Sequence, residues 1–141
     1  MATLNIAVSS PINPPGAHPV LTRDQAWAGL TRKARRPQDF VPIVDSCKIV
    51  QENETTIEAI VNFKPVPGHP LSIRETCTLR EPCRLDYAME DGSSASNVIS
   101  TGPGGADMDM LLTFVFAWEC PDAQAGSEEL KRIGESRKKV T

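Results

Sequence analysis

The sequence predicts an α+β domain built on one curved, seven-stranded antiparallel sheet with helices laid across one face. Three observations predict it. The apolar period is helical from Leu21 to Arg36 and changes to two from Ile43 onward. The segments of period two are separated by short runs of turn residues, too short for the helix that a parallel crossover needs. Only two stretches, Thr22–Arg36 and Ser127–Lys139, can supply the helices that must cover the sheet's apolar face.

Each element has its own signal. Thr3–Val8 alternates, with Leu4, Ile6 and Val8 on one side, and reads as a first strand. Pro11-Ile12-Asn13-Pro14-Pro15-Gly16 is a turn-rich loop. Thr22 can cap a helix whose Gln25 reaches back to it, a capping box. Ala26, Trp27, Leu30 and Ala34 follow at helical spacing. Arg32, Lys33, Arg35 and Arg36 gather at the end, where positive charge suits the helix dipole. Pro37 stops this helix, and a short turn over 38–42 is expected to set Phe40 against the core. Six further strands are expected at Ser46–Gln51, Thr55–Lys64, Leu71–Arg80, Arg84–Glu90, Ala95–Thr101 and Met108–Glu119. Asn53-Glu54-Thr55 matches a glycosylation sequon but reads as an ordinary hairpin turn. Ser127, with Glu128 and Glu129 behind it, can open a last helix.

Composition narrows the function. A chain of 141 residues has room for one core, so residues 1–141 are read as a single domain. With 40% hydrophobic and 23% charged residues it is an ordinary globular chain rather than a disordered one. Acids exceed bases by 18 to 15, so the charge footprint of a nucleic-acid partner is missing. No apolar run approaches the ~20 residues that span a bilayer, and Met1–Ile6 lacks the marks of a signal peptide, so a cytoplasmic location and no membrane partner are expected. Cys47, Cys77, Cys83 and Cys120 form no C-x-x-C pair, and only His18 and His69 could join them, so no metal site and four reduced thiols are expected. G-x-S-x-G, H-E-x-x-H and the dinucleotide fingerprint do not occur, and no cofactor is expected.

The order of elements resembles the helix-grip fold shared by START domains, birch-pollen-allergen-like proteins and polyketide cyclases, in which the curved sheet wraps on a C-terminal helix. The local sequence resembles one branch, the AtaL-like family. The resemblance rests on Asn13-Pro14-Pro15-Gly16, Leu21-Thr22-x-x-Gln25-x-Trp27-x-Gly29-Leu30, Lys33-Ala34-Arg35-x-Pro37-x-x-Phe40-Val41-Pro42 and Leu112-Thr113-Phe114-x-Phe116-x-Trp118-Glu119, and it covers nearly the whole chain. It implies the fold, and a superfamily that holds both enzymes and carriers. Some fungal members sit in secondary-metabolite gene clusters. The C-terminal helix departs from the family in being short, weakly apolar and interrupted by Gly134. That would leave apolar surface for a second subunit, so a homodimer is expected.

Strand alternation assigns the faces. Arg74, Thr76, Thr78 and Arg80 must point outward, which turns Ile73, Glu75, Cys77 and Leu79 inward. Tyr87 and Asn97 fall on the same inner face, and hairpin turns centred near Pro82 and Gly92 would bring Met89 opposite Glu75, and Asn97 opposite Tyr87. A carboxylate in an apolar cavity has its proton affinity raised, which suits proton transfer near neutral pH. Glu75 is therefore the candidate acid–base group, with Tyr87 and Asn97 holding a carbonyl or hydroxyl. The alternative is that Glu75 pairs with an arginine or the backbone and Tyr87 and Asn97 satisfy each other. The expected ligand-binding wall is Trp27, Phe40, Phe63, Leu112, Phe114, Phe116 and Trp118, and the expected partner a hydrophobic small molecule. Two functions follow. One is a cofactor-free cyclase, isomerase or dehydratase acting on a polycyclic or aromatic intermediate; the other is a carrier with the same cavity and no chemistry. The basic cluster at 32–36 reads as a solvated helix end.

Overall fold

In a computed structural model that describes residues 2–67 and 69–120, the chain runs β1 (Ala2–Pro11), α1 (Arg23–Arg35), a 3-10 turn (Pro37–Asp39), β2 (Val44–Glu52), β3 (Thr56–Phe63), β4 (Ser72–Arg80), β5 (Arg84–Met89), β6 (Ser94–Thr101) and β7 (Met110–Cys120). All seven strands join one antiparallel sheet in the order β1-β7-β6-β5-β4-β3-β2. It is a meander from β2 to β7, with β1 paired on the far side of β7. The helix expected at Ser127–Lys139, and the subunit contact expected from its shortness, lie outside the described residues.

Alternation sorts the two faces as the side-chain chemistry requires. On the outer face Arg74 donates to Glu58 at 2.7 Å, and Asp86 takes Arg80 at 2.5 Å and Arg84 at 2.7 Å. Exposed pairs of this kind contribute about 0–1 kcal/mol each, so they mark the wet face rather than hold the fold. On the inner face Ile57, Cys77, Leu85, Ile99 and Met110 are buried under α1, which sends Ala26, Leu30 and Ala34 into them. Fully burying one such Leu or Ile contributes about 1.5–3 kcal/mol, which makes this cluster the principal anchor of the helix.

The loops are pinned by side chains. The capping box is formed: Thr22 Oγ1 accepts from the Gln25 amide at 3.2 Å, and Gln25 Oε1 accepts from the Thr22 amide at 2.9 Å. Asn13 ties the loop before α1 to the loop before β7. Its Nδ2 donates to the carbonyls of Leu21 at 2.9 Å and Met108 at 3.0 Å, and its Oδ1 accepts from the Leu21 amide at 2.8 Å. Asn53 closes the β2–β3 hairpin by accepting from the amides of Thr55 and Thr56, both at 2.9 Å.

One expected register is corrected. Glu75 does lie opposite Met89 and Cys77 opposite Tyr87. Tyr87, however, pairs with Ala95, and Asn97 pairs with Leu85. The β5–β6 turn is the three-residue Glu90-Asp91-Gly92, closed by the Met89 amide donating to the Ser93 carbonyl at 3.0 Å, so it centres on Asp91 and not on Gly92. Gly92 takes φ 90° there, the left-handed position that this loop length demands. The pairing shifts by two, which keeps every side chain on its face.

Candidate active site

Helix α1 covers only half of the inner face. Over the other half the walls come from Ile43, Val44, Val61 and Ile73 on one side and from Ala95, Phe114, Phe116 and Trp118 on the other, with a cavity of about 130 Å³ between them. That is below the roughly 300–1,000 Å³ of common ligand pockets and close to the roughly 150 Å³ that admits one benzene ring. Phe114, Phe116 and Trp118 are stacked along β7, with centroids 6.3 and 5.1 Å apart. Phe63 meets His69 edge-on at 4.4 Å, and His69, Pro70 and Asp91 complete the rim.

Glu75, Tyr87, Asn97, Phe63, Phe114, Phe116 and Trp118 all reach this cavity. Three expected wall residues do not. Trp27 and Leu112 pack against the buried cluster beneath α1, in the half of the inner face that the helix fills. Phe40 is 46% exposed and lies under the Arg32 guanidinium, 5.9 Å from its ring centre; Pro37 and Val41 line the cavity in its stead. The 3-10 turn rotates the chain so that Phe40 follows it on the outside.

The largest omission is Lys33. Its Nζ donates to Asn97 Oδ1 at 2.8 Å and sits 4.9 Å from the centre of the Phe114 ring and 5.8 Å from that of Tyr87. It is not part of a solvated helix end, although its neighbours are: Arg32 and Arg36 bind Asp39, and Arg35 binds Glu52. The signal was present. Lys33 follows Ala26 by seven residues and Leu30 by three, which puts it on the buried stripe of the helix.

The register arranges the polar groups as a diagonal. Glu75 and Tyr87 are offset by two across the β4–β5 ladder, and Tyr87 and Asn97 by two across β5–β6. Lys33 descends from α1 onto the Asn97 end of that line. Among the described residues nothing hydrogen-bonds the Glu75 carboxyl, and burial pushes its pKa from 4.5 up to about 7, with the Lys33 charge acting the other way. Burial also lowers Lys33, from 10.5 to about 8, against the pull of Glu75. The Cys77 thiol is raised to about 12 by burial and by Glu75, which leaves it protonated and inert. Burial likewise holds the Tyr87 phenol well above its usual range, so it stands as a hydrogen-bond donor. The arrangement offers one carboxyl and one amine that can each change protonation near neutral pH, facing a ring-sized apolar space. Among the described residues no three His, Cys, Asp or Glu side chains converge as a metal site requires, and no helix is long and apolar enough to cross a membrane.

Comparison with known proteins follows the same line. The family described as acetylaranotin biosynthesis cluster protein L matches residues 6–141. A protein of that name from Aspergillus terreus is 28% identical over 131 residues, which span 93% of this chain and 76% of that protein. Among solved structures, the Zhui aromatase/cyclase from a Streptomyces species aligns with a TM-score of 0.66 at 14% identity, covering 96% of this chain and 84% of that one. The di-domain aromatase/cyclase StfQ of the steffimycin pathway aligns at 0.67 and 12% identity over 96% of this chain and 45% of its own. A START superfamily protein from Mycobacterium smegmatis aligns at 0.58 and 11% identity, covering 98% of this chain and 90% of its own. At these identities the solved structures establish a START-like helix-grip fold, and the fold alone does not carry an activity.

Proposed function

The chain belongs to the AtaL family, and from that premise we propose that it is an enzyme of secondary metabolism that cyclises, isomerises or dehydrates an aromatic or polycyclic intermediate by proton transfer. The observation that carries the proposal is Glu75. Its carboxyl enters an apolar cavity, has no hydrogen-bond partner among the described residues, and changes protonation at about 7. A carrier of apolar ligands gains nothing from such a group, whereas general acid–base catalysis needs it. The relative from a fungal biosynthesis cluster and the aromatase/cyclases of the same fold support this class of chemistry.

In the proposed reaction the reacting ring of the substrate lies in the cavity against Phe114 and Phe116, and the rest of a polycyclic molecule extends past the rim at His69 and Asp91. Ionised Glu75 takes a proton from a carbon or hydroxyl of that ring and returns it at another position. Tyr87 donates to a substrate oxygen. Asn97 was expected to touch the substrate, but its Oδ1 is engaged by Lys33; it acts as a positioning residue for that lysine. No cofactor is required for this sequence of steps.

The test is Glu75→Gln, which keeps size and hydrogen-bonding capacity and removes titration. With the substrate identified by native mass spectrometry of the purified protein, the variant should fold, bind, and lose turnover by roughly 10²–10⁴-fold. Full turnover in the variant contradicts the proposal. Binding without turnover in both proteins identifies a carrier.

A further inference from the structure

We propose that the Lys33 ammonium is an anion receptor within the cavity, so that the substrate class is one whose ring bears an ionisable oxygen, an enol or a phenol. The inference deepens the reading of the same site as a proton-transfer centre, yet rests on separate geometry.

An ammonium group has three N–H donors and accepts nothing. Among the described residues Lys33 uses one of them, on Asn97 Oδ1 at 2.8 Å. Its other close neighbours are the faces of Phe114 at 4.9 Å and Tyr87 at 5.8 Å. Ring faces attract a cation but do not neutralise it. The titratable groups on the surrounding elements are Cys47 on β2, Glu75 and Cys77 on β4, Tyr87 on β5, and His69 and Asp91 at the rim. The thiols and the phenol stay protonated, and among the described residues no carboxylate stands in ion-pair contact with Lys33. Among the described residues the helix therefore delivers a cation that has no ion-pair contact, with Glu75 acting on it only through space, into a cavity of one ring's size. A cation so placed interacts strongly with negative charge brought beside it, because the apolar walls screen little.

This fixes a role in the reaction. When Glu75 takes a proton from carbon, the electron pair of that C–H bond moves into the ring and onto its carbonyl oxygen, giving an enolate. Lys33 holds that oxygen by hydrogen bond, and the proton returns from Glu75 to carbon or oxygen as the product forms. Asn97 keeps the ammonium over the Phe114 ring, opposite which Asn97 itself lies in the sheet.

4-Nitrophenol tests the receptor without any turnover. It is one ring in size, and its phenolate absorbs visible light while the phenol does not, so the bound state is read directly. Bound to the wild-type protein, the phenolate-to-phenol ratio at a fixed pH should exceed that of the free probe by about tenfold, one pKa unit. Lys33→Met keeps the apolar stem and should lose the excess; Glu75→Gln removes the opposing carboxylate and should retain or increase it. The wild-type measurement stands by itself if Lys33→Met does not fold. A bound ratio no higher than in solution, an excess unchanged in a folded Lys33→Met, or no binding at millimolar probe overturns the proposal. Since nothing here depends on catalysis, loss of the receptor and loss of the proposed reaction are separate outcomes.

Discussion

A carboxyl group held among apolar walls loses hydration, and no neighbour among the described residues replaces it for Glu75. Its folded pKa of about 7 lies above the 4.5 of an exposed glutamate, so the folded protein binds an extra proton between those values. By linkage, the stability tied to Glu75 is fully present below 4.5 and is lost as pH rises through about 7. Lys33 runs the opposite way: its stability is present above 10.5 and lost as pH falls through about 8. Between those midpoints both groups are mainly ionised in the folded protein, each at the desolvation cost that its shift records. Glu75→Gln should raise unfolding stability there by on the order of 1–3 kcal/mol and change little in acid, as urea titrations at the two pH values will show. A loss of stability near neutral pH would mean instead that the carboxylate is structurally paired. Glu75 was legible in the sequence because four polar neighbours, Arg74, Thr76, Thr78 and Arg80, leave only one face for it. Lys33 was hidden by its neighbours, since three arginines around it disguise one position on a buried stripe.

At the scale of elements, strands and the first helix followed from period and capping, which are local properties. Boundaries move by one or two residues, and by three at the end of β1, while Thr22 and Gln25 form the box that their spacing implies. The β5–β6 register did not follow, because turn length decides it and Glu90-Asp91-Gly92 supports two centres equally well in sequence. Trp27, Phe40 and Leu112 were misplaced for a related reason: alternation says which face a residue takes, not which half of that face a helix will cover. The Asn13-Pro14-Pro15-Gly16 motif now has a physical role. Asn13 makes three bonds that tie the loop before α1 to the loop before β7. Asn13→Ala should destabilise the fold by about 1–3 kcal/mol, measured by thermal unfolding, and leave Glu75 titration unchanged. A wild-type melting temperature in that variant would show that the two loops do not depend on the tie.

For the whole molecule, the division of the inner face is the organising feature. Among the described residues one half is packed beneath α1, the other lines the cavity, and the polar diagonal of Glu75, Tyr87 and Asn97 crosses near their boundary. Filling the hollow should separate fold from function. Ala95 faces Tyr87 on one side and Phe116 on the other, at the cavity wall. Ala95→Leu should keep the fold, at a cost of about 1–3 kcal/mol at most, and abolish binding of a one-ring probe followed by calorimetry. Undiminished binding in that variant would place the ligand elsewhere.

The proposed role of Glu75 as a carboxyl tuned for proton transfer is tested by its own titration. The carbon-13 resonance of the Glu75 side-chain carboxyl, assigned by its loss in Glu75→Gln, can be followed by NMR across the neutral range. A midpoint near 7 is expected. A midpoint near the ordinary 4.5 would contradict it.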